Sequence, residues 1–183
     1  EIILIDDFFD IPSSLKYFHL LKTGIKWQEG HITFYGKQVL QPRWLAWYGG
    51  EGKSDNYSGQ TYHLPGWNNV LLEIKQAVED FAEYRFNSCL LNLYRNGNDS
   101  MGYHSDDEPE LGKNPVIASV SFGGARLFKL QHKKDKALKA EISLNNGSLL
   151  LMKGPTQHYW KHAIPKTAKT VAERINLTFR RII

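Results

Sequence analysis

The segment from Arg174 to Arg180 alternates without a break: Arg174, Asn176, Thr178 and Arg180 hold one parity, Ile175, Leu177 and Phe179 the other. Only an extended strand sorts these two sets onto opposite faces, because successive strand side chains point to opposite sides. A helix would scatter the polar set around its circumference. This stretch therefore demands a sheet with one apolar face, and it leaves two guanidinium groups on the other. Five more short segments have strand character: Ser88–Tyr94, Ile117–Phe122, Ala125–Gln131, Ala140–Leu144 and Ser148–Met152, with the sixth spanning Glu173–Arg181. Asn145-Asn146-Gly147 is a turn signal before the fifth. Six short strands divided by turns predict a mainly β (α+β) fold, an antiparallel sandwich or jelly roll. A generic α+β domain without that winding is the alternative.

The first half of the chain reads differently. Pro12–Leu21 opens Pro-Ser-Ser and spaces Leu15, Phe18 and Leu21 as a helix does. Trp67 to about Tyr84 sets Val70, Leu71, Ile74, Ala77, Val78 and Phe81 on one stripe, a second helix. Residues 31–65, rich in Gly, Tyr and Trp, read as strands or hairpins joined by loops. With 183 residues and no repeat or low-complexity tract, residues 1–183 are expected to form a single domain. The amino terminus lacks a basic n-region and no apolar run is long enough for a membrane helix, so no secretory signal and no membrane partner are expected. One cysteine, Cys89, excludes a disulfide framework and a multi-cysteine zinc site. A net charge of +4 permits a nucleic-acid partner without requiring one.

Any metal site in this chain must then come from histidine and carboxylate. His104-Ser105-Asp106 offers both at i and i+2, on one side of an extended chain. A second histidine would complete a triad of two His and one carboxylate with open positions, which suits ferrous iron. The competing account is a solvated polar loop, favoured by the acidic run Asp107-Glu108-Pro109-Glu110. His132 lies beside Lys133 and Lys134, where positive charge opposes a cation. His158 and His162 follow the strand Ser148–Met152, and spacing alone does not choose between them. On the polar face of 174–180, the Arg174 and Arg180 forks could hold a small dicarboxylate, since a guanidinium matches carboxylate geometry. The alternative is a polar face that meets water. Asn92 and Tyr94 share one face of CLLNLYRNG and could bind the same anion; alone, they would be read as a partly solvated strand.

These signals together resemble the AlkB family, the iron- and 2-oxoglutarate-dependent dealkylases of nucleic acids. The stretches that carry the likeness are LNLYRNGNDSMGYHSDDE, PVIASVSFGGARLFKL, GSLLLMKGPTQHYWKHAIP and ERINLTFR, with GKQVLQPRW similar to the branch that repairs double-stranded DNA. The resemblance implies a double-stranded β-helix with the N-terminal helices packed on one side. It implies His104, Asp106 and His162 as ligands of Fe(II), and Asn92, Tyr94, Arg174, Asn176, Thr178 and Arg180 around the cosubstrate 2-oxoglutarate, with O2 as oxidant. It places Asp107, Glu108 and Tyr57 near the damaged base, with Asp55 at a neighbouring contact position. It makes Tyr35, Gly36 and Lys37 a hairpin that probes the duplex, within a recognition region spanning 31–65, and Arg43 a DNA contact. The implied reaction removes alkyl groups from bases such as N1-methyladenine and N3-methylcytosine in DNA. RNA or single strands are the alternative substrates; a binding jelly roll without turnover is a further reading, and a protein hydroxylase is a fourth, disfavoured by the GKQVLQPR stretch. Lys129, Lys133, Lys134, Lys136 and Lys139 are candidate phosphate contacts. A monomer inside the cell is expected, cytoplasmic in a bacterium and nuclear in a eukaryote.

Overall fold

The computed structural model describes residues 1–34, 36–50, 54–57 and 60–183, and at 33–34, 54–57 and 60–63 the backbone alone. Its larger sheet has seven antiparallel strands. Their spatial order is β1 (Ile2–Ile5), β11 (Leu149–Met152), β8 (Ile117–Gly123), β13 (Arg174–Arg180), β6 (Ser88–Tyr94), β3 (Lys37–Gly49) and β2 (Gln28–Phe34). The smaller sheet runs β10 (Lys139–Leu144), β9 (Arg126–His132), β12 (Trp160–Ile164) and β7 (Met101–His104). Short strands β4 (Ser54–Tyr57) and β5 (Gln60–His63) pair apart from both. The two main sheets face each other as a jelly roll, a double-stranded β-helix.

Strand β13 lies at the middle of the larger sheet, between β8 and β6, and all seven of its residues are buried. Its alternation therefore separates two interiors rather than an interior from water. Ile175, Leu177 and Phe179 join a core with Leu91, Leu93, Val120 and Phe122, closed over by Tyr17, Leu21, Leu71, Ile74 and Val78. Those last five come from α1 (Ile11–Gly24) and α2 (Asn69–Ala82), which cover this one face. Each such side chain contributes about 1.5–3 kcal/mol on burial. The polar set of β13 turns inward to the second core between the sheets, where Leu90, Phe128, Leu130, Leu144 and Leu150 pack.

Local chemistry sets the element ends. Asp10 caps α1, its Oδ1 accepting from Ser13 N at 2.8 Å, and Asn68 caps α2 by accepting from Leu71 N at 2.8 Å. Gly147 turns the chain into β11 at φ +80°, and a Cβ there would stand 2.3 Å from the Phe9 carbonyl oxygen. Three strands have no clear signature in the sequence: β1, β7 and β12. No described helix is long and apolar enough to cross a membrane.

Glu79 anchors the end of α2. Its carboxylate accepts from Lys75 Nζ at 2.8 Å, Arg85 Nη1 at 2.9 Å and the Phe86 backbone N–H at 2.6 Å. Burial pushes its pKa up, but these three donors together hold it below the usual glutamate value. Glu79→Ala should therefore lower stability by about 1–3 kcal/mol, read from the urea midpoint. Because the folded pKa is the depressed one, this contribution is complete above the unfolded pKa. It is lost as pH falls through the folded pKa, so wild type and variant should converge in acid.

Candidate active site

The residues singled out in the sequence as metal or anion ligands meet in one pocket between the sheets. His104, Asp106, His162, Asn92, Tyr94, Arg174, Asn176, Thr178 and Arg180 all line it. Strand pairing brings them together: His162 of β12 stands opposite His104 of β7, and Asn176 of β13 opposite Asn92 of β6. His158 falls on the exposed side of a single helical turn, Thr156–Tyr159, and takes no part.

His104, Asp106 and His162 each offer one ligand atom, and the three atoms lie within 4.8 Å of one another. The two imidazole rings are 4.3 Å apart, and His162 Nε2 is 3.4 Å from Asp106 Oδ2. His104 Nδ1 is 2.9 Å from the Gly102 carbonyl oxygen, which accepts its proton and leaves the Nε2 lone pair for a metal. Burial, reinforced by repulsion from His104, pushes the His162 pKa down to about 3, and burial lowers that of His104 as well. Asp106 is fully enclosed. Burial raises its pKa, but Arg180 and the two histidines outweigh that and hold it below the usual carboxylate range. Two neutral imidazoles and one ionised carboxylate are the donor set a divalent iron takes.

The surroundings hold these groups in place. Arg180 Nη2 donates to Asp106 Oδ1 at 2.5 Å, and its guanidinium lies over the Trp47 ring. Gln157 Oε1 accepts from the Asp106 backbone N–H at 3.0 Å, and the His162 ring stacks on Phe128 at 5.1 Å. Deeper in the pocket, Arg174 is 1% exposed. Its Nη2 donates to Ser121 Oγ at 2.9 Å, while Nε and Nη1 meet no acceptor of hydrogen-bonding geometry among the described residues. Burial, with repulsion from Arg126, pushes its pKa down to about 10 against the opposing Tyr94 side chain, whose ring lies 5.2 Å from the guanidinium carbon. A buried guanidinium with two idle donors is costly without an anion. The site thus fits a small carboxylate beside a metal, as a keto-acid requires. Asn176 Nδ2 donates to Ser119 Oγ and to the Val120 carbonyl, and Thr178 Oγ1 donates to Asn176 Oδ1.

Sequence reasoning missed Ser119, Ser121 and Gln157. The two serines alternate with Ala118, Val120 and Phe122 in β8, a period-2 signal of the same kind as that in β13. Gln157 has no such signal.

The expected substrate contacts fare differently. Arg43, expected as a DNA contact, is 5% exposed, and its guanidinium donates to Asn92, Gln41 and the Ser100 carbonyl. It shares an inward parity with Leu45 and Trp47, and the strand carries it inside. Gly36 and Lys37 are exposed at the β2–β3 turn, where Gly36 takes φ +75°. Asp107 is exposed and accepts from Lys133 Nζ at 2.9 Å; Glu108 is half-buried. Tyr35 and the side chains of Asp55 and Tyr57 lie outside the described residues. Lys129 is paired with Glu141 at 2.8 Å, while Lys134, Lys136 and Lys139 are exposed.

Fold and site together define a jelly-roll iron(II) oxygenase that takes a keto-acid cosubstrate. Comparison with known proteins gives the same class and narrows it. Residues 1–180 match the 2OG-Fe(II) oxygenase superfamily. Over the whole chain, 42% of residues are identical to alpha-ketoglutarate-dependent dioxygenase alkB homolog 3 of Homo sapiens, covering 66% of that protein. The DNA oxidative demethylase ALKBH2 of Mus musculus is 35% identical over 92% of this chain and 74% of its own length. A solved structure of OsALKBH1 superposes with a TM-score of 0.71 at 18% identity, covering 98% of this chain and 96% of that one, which bears on the fold alone. The chain belongs to the AlkB family of 2OG-Fe(II) oxygenases. It spans about two thirds of the length of the alkB homolog 3 proteins it matches.

Proposed function

We propose that this chain is an oxidative dealkylase of N-alkylated bases in DNA, acting on lesions such as N1-methyladenine and N3-methylcytosine. The observation that carries the reading is the pocket itself: a His104–Asp106–His162 cluster within 4.8 Å, with the idle donors of Arg174 behind it. Similarity to a protein named as a DNA oxidative demethylase supplies the substrate class. When bound, iron(II) with 2-oxoglutarate and O2 supplies the oxidising power to hydroxylate the N-alkyl carbon, after which the hemiaminal releases an aldehyde and the unmodified base.

The chain's own residues bind and orient. His104, Asp106 and His162 would hold the iron, and Arg180 would keep the Asp106 carboxylate facing it. Arg174 would receive one carboxylate of 2-oxoglutarate, with Asn92 and Tyr94 beside it. Asn176 and Thr178, tied to each other and to β8, would brace the wall between the two arginines. Asp107 and Glu108 would favour a base that alkylation has made cationic, and alkylation also weakens the pairing that must break before a base can leave the stack. The hairpin around Tyr35, Gly36 and Lys37, with Asp55 and Tyr57, would form the recognition region over the mouth. Residues 1–183 would act as one intracellular oxygenase domain, monomeric on its substrate.

The test supplies iron(II), 2-oxoglutarate and oxygen with methylated single-stranded DNA, duplex DNA and RNA, and reads base masses. Loss of 14 Da per methylated base, about one CH2, is expected on DNA, with matching succinate formation. A loss confined to RNA would reassign the substrate; none on any strand would sink the proposal.

A further inference from the structure

We infer that Arg43 is a positioning residue for the cosubstrate, acting through Asn92, and not a contact to nucleic acid. Within the function proposed above, it links the strand that leaves the recognition hairpin to the 2-oxoglutarate pocket.

Arg43 lies in β3, and its fork donates to three acceptors among the residues described. Nε donates to Asn92 Oδ1 at 2.9 Å, Nη1 to the Ser100 carbonyl at 3.2 Å and Nη2 to Gln41 Oε1 at 2.5 Å. A guanidinium has donors only, so the Asn92 atom facing it must be the carbonyl oxygen. That contact settles the orientation of the amide. Asn92 Nδ2 is turned the other way, in a residue that lines the pocket with Tyr94 and Arg174. No protein acceptor takes the Asn92 Nδ2 protons among the described residues.

The consequence concerns the sign of the group presented to an anion. A carboxylate in this pocket needs donors, and Arg174 already offers two idle ones. Held by Arg43, Asn92 adds an N–H to that set. Released, the amide can rotate and offer its oxygen, which a carboxylate repels. Gln41 braces the other end of the fork, and both it and Arg43 line a second cavity that reaches His104. Arg43 thus stands between that cavity and the cosubstrate pocket.

The experiment titrates 2-oxoglutarate calorimetrically into the Mn(II)-loaded protein, which binds without turning over, and separately titrates a methylated oligonucleotide. Arg43→Gln should weaken 2-oxoglutarate binding about tenfold, the effect of losing one well-placed hydrogen bond to a charged group. It should leave oligonucleotide affinity within about twofold. Arg43→Lys keeps the buried charge but lacks Nε–H. It guards against misfolding of the glutamine variant, and it should show the same loss of 2-oxoglutarate affinity with a melting temperature near wild type. In the Asn92→Ala background, Arg43→Lys should cost no further 2-oxoglutarate affinity. Additive losses in that cycle would overturn the inference. So would weakened oligonucleotide binding with unchanged 2-oxoglutarate binding, which would return Arg43 to the nucleic-acid face. Failure of the wild-type protein to bind 2-oxoglutarate at all would overturn this inference together with the proposed function, whereas binding in wild type that Arg43→Lys leaves intact would overturn this inference alone.

Discussion

Asp106→Ala will cost the protein its metal and part of its stability at once. The carboxylate is one of three groups able to hold iron, and its loss should lower Mn(II) affinity and turnover by more than about 100-fold, the upper range for losing a mere outer-shell partner. It is also the buried partner of Arg180, with both side chains 2% exposed. Removing one member of such a pair typically costs about 3–5 kcal/mol, because the other charge stays buried. Asp106→Asn separates the two effects. Its amide oxygen can still accept from Arg180, so the fold should recover much of the loss while metal binding stays weak. Metal titration and urea unfolding of both variants check this. Turnover of Asp106→Ala within tenfold of wild type would remove the carboxylate from the metal site.

Arg174→Met should move stability and function in opposite directions. The guanidinium is buried with two donors idle, and among the described residues Ser121 and Tyr94 engage it. An apolar side chain of similar length removes that desolvation cost, so the ligand-free variant should be as stable as wild type or up to about 2 kcal/mol more stable. Binding of 2-oxoglutarate should weaken at least about thirtyfold, the low end for truncating one partner of a buried charged pair. Thermal unfolding with Mn(II) shows both effects in one trace. The variant should begin at an equal or higher melting temperature and gain nothing when 2-oxoglutarate is added. A variant that is still stabilised by 2-oxoglutarate as strongly as wild type would show that Arg174 does not hold the cosubstrate. This opposition is the signature of a group kept for binding at the expense of folding.

Much of the site was legible because its chemistry depends on residue type at short range. HxD places two ligands on one side of an extended chain, and the RxNxTxR alternation places two guanidiniums on one strand face; both are local statements. Helix α2 was legible for the same reason, its apolar stripe being local. Strands β7 and β12 were not. MGYH contains a glycine and is exposed at its centre, and WKHAI alternates too briefly to stand out; each is a strand because of the neighbour it pairs with. The burial of Arg43 was not legible, because an arginine in a polar, hairpin-rich stretch looks the same whether its strand turns it outward or inward.

The sequence by itself determined that a strand with two faces existed at 174–180, that any metal must sit on histidine and carboxylate, and which residues could bind an anion. Periodicity and side-chain chemistry contain that much. The tertiary structure decided the rest. It put both faces of β13 in the interior, so that its arginines are desolvated rather than hydrated. It brought His162, and not His158, beside His104 and Asp106 by setting β12 opposite β7, and it turned Arg43 toward Asn92. Those outcomes depend on pairings between residues tens of positions apart, whose register no local window of sequence contains.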